Sequence, residues 1–323
     1  MKNLKNLLSS GSPFLLIILL LMGCSNDDDG STNARPYANT FSILVNDKWD
    51  VLVSGFAQKN GELQNIFWVD GEQVDATAFS ERVGNGMVYR EAVDAKFRKV
   101  YAHKGLDGQS RKYQFDQGSL LEEGTLFYYR NNTMIKLDSD SIGTVTAITF
   151  VGDSPAFAGS FGKIKSTGVG EALFPVTPFF WDGADSFTEL PLPANTFNFG
   201  GTSSVYLESE DEFYVGGLCG FPMYWKNTEA VILDERYGEV HQITKSGSDV
   251  YAVGSFNKYG SNSTGHTAAY WKNGELIELG DNAQAYGIYI DGNDVYVTGS
   301  VGQIPIDYKP CYWKNGVRVD LTF

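Results

Sequence analysis

The sequence predicts an all-β chain, a six-bladed β-propeller of four-stranded antiparallel blades. Three observations carry this expectation. A short aromatic motif recurs six times, each copy is preceded by the same paired-strand pattern, and the repeated second strands are apolar on both faces. Composition agrees: 323 residues with 36 glycines, 14% aromatic and 42% hydrophobic residues supply both turns and core.

The motif is clearest at the C-terminal end. Tyr312-Trp313-Lys314-Asn315-Gly316 repeats Tyr270-Trp271-Lys272-Asn273-Gly274, and Tyr224-Trp225-Lys226-Asn227 is the same element. Phe180-Trp181-Asp182-Gly183 and Phe67-Trp68-Val69-Asp70-Gly71 are degenerate copies, and Tyr128-Tyr129-Arg130-Asn131-Asn132 is a sixth with Tyr129 in the Trp place. Repeats at 42–61 residues fit propeller blades and are too long for a 20–30-residue solenoid unit. We name the strands of each repeat a, b, c and d. Strand b ends in Gly, as in Asp294–Gly299, Asp249–Gly254 and Glu212–Gly216. Strand a lies upstream across a tight turn such as Asp291-Gly292-Asn293-Asp294, a hairpin signal. Strand c is the aromatic motif, and strand d follows its Asn-Gly turn, as in Val317–Leu321. Val295 and Val297 on one face of strand b and Tyr296 on the other imply burial from both sides, whereas a sheet with one wet face would alternate. Sheets stacked radially satisfy this. The blades are assigned to residues 40–78, 79–140, 141–193, 194–236, 237–281 and 282–323. Each starts with its own first strand, so blades one and six are expected to close the ring by face packing alone.

The order of strand, Gly-containing turn and aromatic strand resembles the kelch and galactose-oxidase class of blade, although the double glycine survives only as Gly216-Gly217. Tyr-Trp-Lys-Asn-Gly followed by an aliphatic strand also resembles a repeat of Bacteroidota and spirochaete lipoproteins. That resemblance implies a fold and a location, and no activity.

Residues 1–23 read as a removable export signal. Lys2 and Lys5 precede an apolar run from Phe14 to Met22, too short to span a bilayer. Leu21-Met22-Gly23-Cys24 resembles a bacterial lipobox, which implies cleavage before Cys24 and its lipidation. Residues 24–39 read as an acidic tether, and Asn26-Asp27-Asp28-Asp29-Gly30 resembles the tract that directs Bacteroidota lipoproteins to the outer face of the outer membrane. The expected partners are therefore a membrane, through the lipid anchor, and a glycan, peptide or protein ligand. A formal net charge of −14 argues against nucleic acid.

Chemistry-bearing motifs are sparse. The repeated tryptophans are expected to pack between blades; Trp49 falls outside their register. Cys219 and Cys311 lie in non-adjacent blades and are expected to be free thiols. His103, His241 and His266 show no metal-ligand spacing, so neither metal nor cofactor is expected. His241 reads as a packed first-strand residue, and His103 and His266 as loop residues. There is no Gly-x-Ser-x-Gly elbow, phosphate loop or sialidase-type box. Arg82, Arg90 and Arg98 crowd one segment instead of coming from several blades. A carboxylate pair drawn from Asp107, Asp116, Glu122, Glu123, Glu171 and Asp307 would suit a glycosidase.

Loop length points to a working face. The a–b and c–d connections are tight, whereas the b–c stretches 103–124, 160–178, 255–268 and 300–310 are long and share a face with the d–a connections. They carry the candidate ligand residues Lys104, Arg111, Lys163, Lys165, Tyr259, Asn262, His266, Gln303 and Tyr308. Basic and aromatic groups gathered on an acidic protein favour an anionic ligand, such as a uronic-acid or sulfated glycan. The expected function is a surface binding module. The alternatives are a carbohydrate-active hydrolase or lyase and a structural scaffold. A close carboxylate pair, or a His beside a Tyr and an Arg, would favour the enzyme.

The lipobox generates a direct test. Cys24→Ala is expected to leave the chain in the soluble export fraction; membrane partitioning like that of the parent would contradict lipidation.

Overall fold

The computed structural model describes residues 37–59, 62–93, 99–115, 126–137, 143–167, 170–183, 187–194, 200–209, 211–258, 265–302 and 308–323. The signal, most of the tether, and Tyr259, Asn262, Gln303, Asp116, Glu122, Glu123 and Asp307 lie outside the described residues.

Six antiparallel sheets follow one another along the chain. Blade one is β1 (Tyr37–Val45), β2 (Val51–Lys59), β3 (Glu62–Val69) and β4 (Glu72–Val74). Its first strand therefore begins three residues inside the stretch read as tether. Blade two is β5 (Val88–Val93), β6 (Lys99–Lys104), β7 (Ser110–Phe115), β8 (Leu126–Arg130) and β9 (Thr133–Leu137). Blade three is β10 (Gly143–Val151), β11 (Ser154–Thr167), β12 (Gly170–Trp181) and β13 (Phe187–Glu189). Blade four is β14 (Gly201–Ser209), β15 (Glu212–Leu218), β16 (Pro222–Lys226) and β17 (Glu229–Ile232). Blade five is β18 (Gly238–Ser246), β19 (Asp249–Phe256), β20 (Thr267–Lys272) and β21 (Glu275–Asp281). Blade six is β22 (Ala283–Asp291), β23 (Asp294–Val301), β24 (Lys309–Lys314) and β25 (Val317–Asp320).

Blade two departs from the expected four strands. After β4 the chain enters a short helix, α1 (Ala76–Ser80), capped by the Asp75 carboxylate accepting from the Ala78 amide at 2.8 Å. The following residues run to the a–b turn of blade one, where Asn46 Nδ2 donates to the Arg82 carbonyl and Arg82 Nε lies 3.6 Å from Asp50. The chain has thus crossed to the other face before β5 begins. A fifth strand then restores the direction in which the remaining blades run.

Hydrophobic clusters join successive sheets. One unites Tyr113, Phe115 and Tyr128 of blade two with Val145 and Phe157 of blade three. Another unites Ala158 and Phe180 of blade three with Val215 and Trp225 of blade four. Trp68, Trp225, Trp271 and Trp313 are fully buried, and Trp181 is half-buried with its ring stacked on Phe157 at 5.2 Å. Ring closure repeats an ordinary blade contact. Trp225 Nε1 donates to the Pro191 carbonyl of the preceding blade at 2.7 Å, and Trp68 Nε1 donates likewise to Thr322. Face packing of Trp68 and Ile43 against Tyr296 and Tyr312 completes the seam, aided by the Thr322 amide donating to Gly71. Closure therefore adds bonds from the C-terminal tail to the packing expected.

The rest of the motif is also architectural. Asp70, Asn131, Asn273 and Asn315 and the residue after each have positive φ, as a two-residue I′ hairpin requires. The turn residue's Oδ1 then accepts from a strand-b amide: Val250 to Asn273 at 2.9 Å, Val295 to Asn315 at 2.8 Å, and Phe213 to Asn227 at 3.0 Å. Lys272 and Lys314 reach Asp249 and Asp294 at 2.8 and 2.9 Å.

Trp271 packs with Val240, Phe256 and Leu233. Trp271→Ala is expected to cost about 3–5 kcal/mol by lost burial and a cavity, read as a lower denaturation midpoint. An unchanged midpoint would contradict the packing role.

Candidate functional site

Five first strands carry a β-bulge at the same place. Register shifts fall between Thr40 and Ser42, Val145 and Ala147, Thr202 and Ser204, Val240 and Gln242, and Ala285 and Gly287. The residues inserted are Phe41, Thr146, Ser203, His241 and Tyr286. The second-strand glycine makes room for each bulge. A Cβ at Gly55, Gly159, Gly217, Gly254 or Gly299 would lie 2.0–2.2 Å from the carbonyl oxygen of Asn39, Thr144, Gly201, Glu239 or Gln284. Only a residue without a side chain accepts that approach, and the bulge then re-aims the inserted side chain.

The bulge residues meet around the axis. The Phe41 and Tyr286 rings are 6.5 Å apart, and the Tyr286 and His241 rings 4.9 Å. Blades one, six and five thus present three rings in a row. Thr146 and Ser203 place small hydroxylic side chains on blades three and four, with Ser203 Oγ donating to the Val240 carbonyl. Blade two contributes cations. Arg90 pairs with Tyr101 across β5 and β6, and Lys99 lies two residues before Tyr101, so all three share a sheet face. The Arg90 guanidinium lies 3.9 Å from the centre of the Phe41 ring. Lys99 Nζ donates to the Thr146 carbonyl at 3.4 Å.

Arg90, Lys99, Tyr101, Glu239, His241, His266 and Tyr286 are half-buried. We refer to this half-buried cluster as the axial well. Burial, with the Arg90 charge nearby, lowers the Lys99 ammonium to about 7, and Glu239 opposes that shift. Burial raises the Tyr286 phenol to about 12 and pushes Tyr308 up as well, with Tyr286 and Glu239 adding to it. His266 is held below its ordinary value by burial, against the pull of Glu239. Glu239 Oε1 lies 3.1 Å from His241 Nε2, and Tyr308 and Tyr286 both donate to Gln284 Oε1, Tyr308 at 3.1 Å.

Of the residues singled out by sequence, His266 and Tyr308 belong to this well. Lys163 and Lys165 lie in β11, where the expected loop is a long hairpin with Lys163 paired to Phe174 and Lys165 to Ala172. Lys104 and Arg111, expected on the b–c face, are on the other. Lys104 Nζ donates to the Val83 carbonyl beside the blade-one a–b turn. Arg111 pairs with Asp107 at 2.6 Å in the β6–β7 turn, which touches Asp153 of the β10–β11 turn. The helix crossing and the fifth strand are the cause. His103, expected in a loop, lies inside β6, buried and stacked on Phe150 at 3.7 Å. Cys219 and Cys311 are both buried. Trp49 stands 71% exposed at a turn with φ 70°. Nearby, a recess of about 400 Å³ between Lys48, Arg82 and Lys104 lies on the a–b face and gathers none of the axial groups.

No protein-family model matches the chain, and no curated protein matches it by sequence. Solved structures do. A puromycin-hydrolysing peptidase of Mycobacterium tuberculosis aligns at 10% identity and TM-score 0.47 over 90% of this chain, which spans about half (53%) of the peptidase. Aleuria aurantia lectin with α-methyl-L-fucoside aligns at 10% identity and TM-score 0.43, covering 89% of this chain and 94% of the lectin. The β-propeller domain of the Trilobed protease from Pyrococcus furiosus, described as having an open velcro topology, aligns at 11% identity and TM-score 0.39, covering 89% and 98%.

Lys99 generates a stability test. Below about pH 7 the native state carries its charge at full desolvation cost. Between that pH and the ordinary lysine value the unfolded chain binds the extra proton, so the cost fades as pH rises. Lys99→Met is expected to melt several degrees above the parent below pH 7, with the advantage shrinking toward pH 10. A lower melting temperature at pH 6 would contradict the assignment.

Proposed function

We propose that the protein is an exported, lipid-anchored binding module, displayed on the outer membrane, that takes its ligand at the axial well. The observation that carries this is the row of bulge-aimed rings, Phe41, Tyr286 and His241, beside the cations Arg90 and Lys99. Flat apolar faces next to a few convergent polar groups are the usual composition of a small-molecule site. The well opens toward the b–c and d–a connections: Glu239 and Gln284 start their first strands there, and His266 and Tyr308 directly precede strands β20 and β24.

A second reading, an elimination or hydrolysis enzyme, is favoured by His241 lying beside Tyr286 with Arg90 one ring further. Two facts weigh against it. The Tyr286 phenol is raised to about 12 and donates to Gln284, so it is a poor proton acceptor. Glu239 is also the one carboxylate among the described residues whose charge acts on Lys99, His266, Tyr286 and Tyr308 alike, so the described residues place no carboxylate pair there.

A thermal-shift screen of mono- and oligosaccharides against the parent and a His241→Ala/Tyr286→Leu double variant tests the reading. Compounds that raise the parent's melting temperature are expected to lose most of that shift in the variant and keep it in Trp49→Ala. The reverse pattern would move the site to the a–b face. Conversion of a bound saccharide to products would establish the enzyme.

A further inference from the structure

The described cations of this acidic protein mostly find carboxylates. Lys112, Lys226, Lys245, Lys258, Lys272 and Lys314 all do so within 4 Å. Lys99 and Arg90 differ. No described carboxylate forms an ion pair with either; Lys99 Nζ has a backbone carbonyl at 3.4 Å, and Arg90 Nε is buried with no hydrogen-bond partner. Both are deep and on one sheet face. Keeping two half-buried cations together is costly unless an anion joins them.

We propose that the axial well is an anion site for a small organic carboxylate of the sugar-acid class, its carboxylate between Lys99 and Arg90 and its carbon skeleton against Tyr286 and His241, since the Phe41 ring is already stacked on Phe56 and covered by the Arg90 guanidinium. The inference rests on the reading that ligand binds in the well. Charge count selects the valence. Lys99 and Arg90 together carry two positive charges and Glu239 removes one, so a monoanion balances the well and a dianion overcharges it. The flat guanidinium suits a planar carboxylate, and the ring row suits the apolar face of a sugar. Thr146 and Ser203 leave the opposite wall short. Lys99 is faced by Arg90 and Tyr101 from its own sheet, the Thr146 carbonyl from blade three and Glu239 from blade five. With the Lys99 ammonium lowered to about 7, carboxylate affinity falls as pH rises above that value.

The test is calorimetric titration of the full chain with galacturonate, galactose and inorganic sulfate, below and above pH 7. Galacturonate is expected to bind at least about tenfold more tightly than the other two, more weakly at the higher pH, and at least about tenfold more weakly to Lys99→Met, with Lys99→Arg restoring affinity. Galactose binding as tight as galacturonate but lost in His241→Ala/Tyr286→Leu would overturn the carboxylate and leave the well as the site. Sulfate binding as tight as galacturonate would likewise overturn it. Galacturonate binding indifferent to Lys99→Met would overturn the seat, and indifference to the double variant as well would overturn the well. Absence of galacturonate binding to a folded parent would overturn the inference, while the saccharide screen judges the well separately.

Discussion

A carbonyl oxygen pressed against a glycine sets where this molecule can do chemistry. Stacked blades bury both faces of every sheet, so an ordinary strand residue points into a neighbouring blade or toward the rim. The bulge opposite Gly55, Gly159, Gly217, Gly254 and Gly299 breaks that alternation and sends one side chain per strand toward the axis. With Phe41, His241 and Tyr286 large and Thr146 and Ser203 small, the axial space is lopsided, and blade two fills part of it with charge.

Blade two supplies that charge because its chain path is different. Its first strand, entered from the opposite face after α1, carries its shift between Glu91 and Val93, and Arg90 and Lys99 stand beside it on adjoining strands. The blade is still tied to its neighbour by the same kind of bond used elsewhere. Ser42 Oγ accepts from the Arg90 amide, Ser204 Oγ from Ile243 and Gln242 Oε1 from Ile288, each at 2.8 Å. Exposed ion pairs such as Lys272–Asp249 and Lys314–Asp294 hold the rim and contribute little stability each.

The architecture was legible because the blade repeat is written in residues with one structural job each: Trp271 and Trp313 for packing, Asn273 and Asn315 for the turn. The second-strand glycines Gly254 and Gly299 were visible, though their reason, the bulge, is a property of the partner strand; in blade four the reading fell on Gly216, one residue before the glycine that meets the bulge, Gly217. The well was much less legible. Arg90, Glu239, His241 and Tyr286 come from three blades and look like alternating positions of ordinary strands. His241 in particular read as packed, which its ring contact with Tyr286 partly justifies. The face assignment failed for Lys104 and Arg111 because nothing in the 79–104 segment announces a crossing or a fifth strand. His266 and Tyr308, where the repeat is regular, directly precede β20 and β24. A usable signal did exist: His241 and Tyr286 each lie thirteen residues before their second-strand glycines, Gly254 and Gly299, and Phe41 lies fourteen before Gly55, across a hairpin one residue longer.

The bulges and blade two build an axial well holding a half-buried cation, Lys99, that has no ion-pairing carboxylate among the described residues. The most direct measurement is the titration of the Lys99 side chain by nuclear magnetic resonance in lysine-labelled protein, assigned with Lys99→Arg. The account predicts a midpoint near 7, displaced upward when galacturonate is added. A midpoint at the ordinary lysine value of 10.5, unmoved by galacturonate, would contradict it.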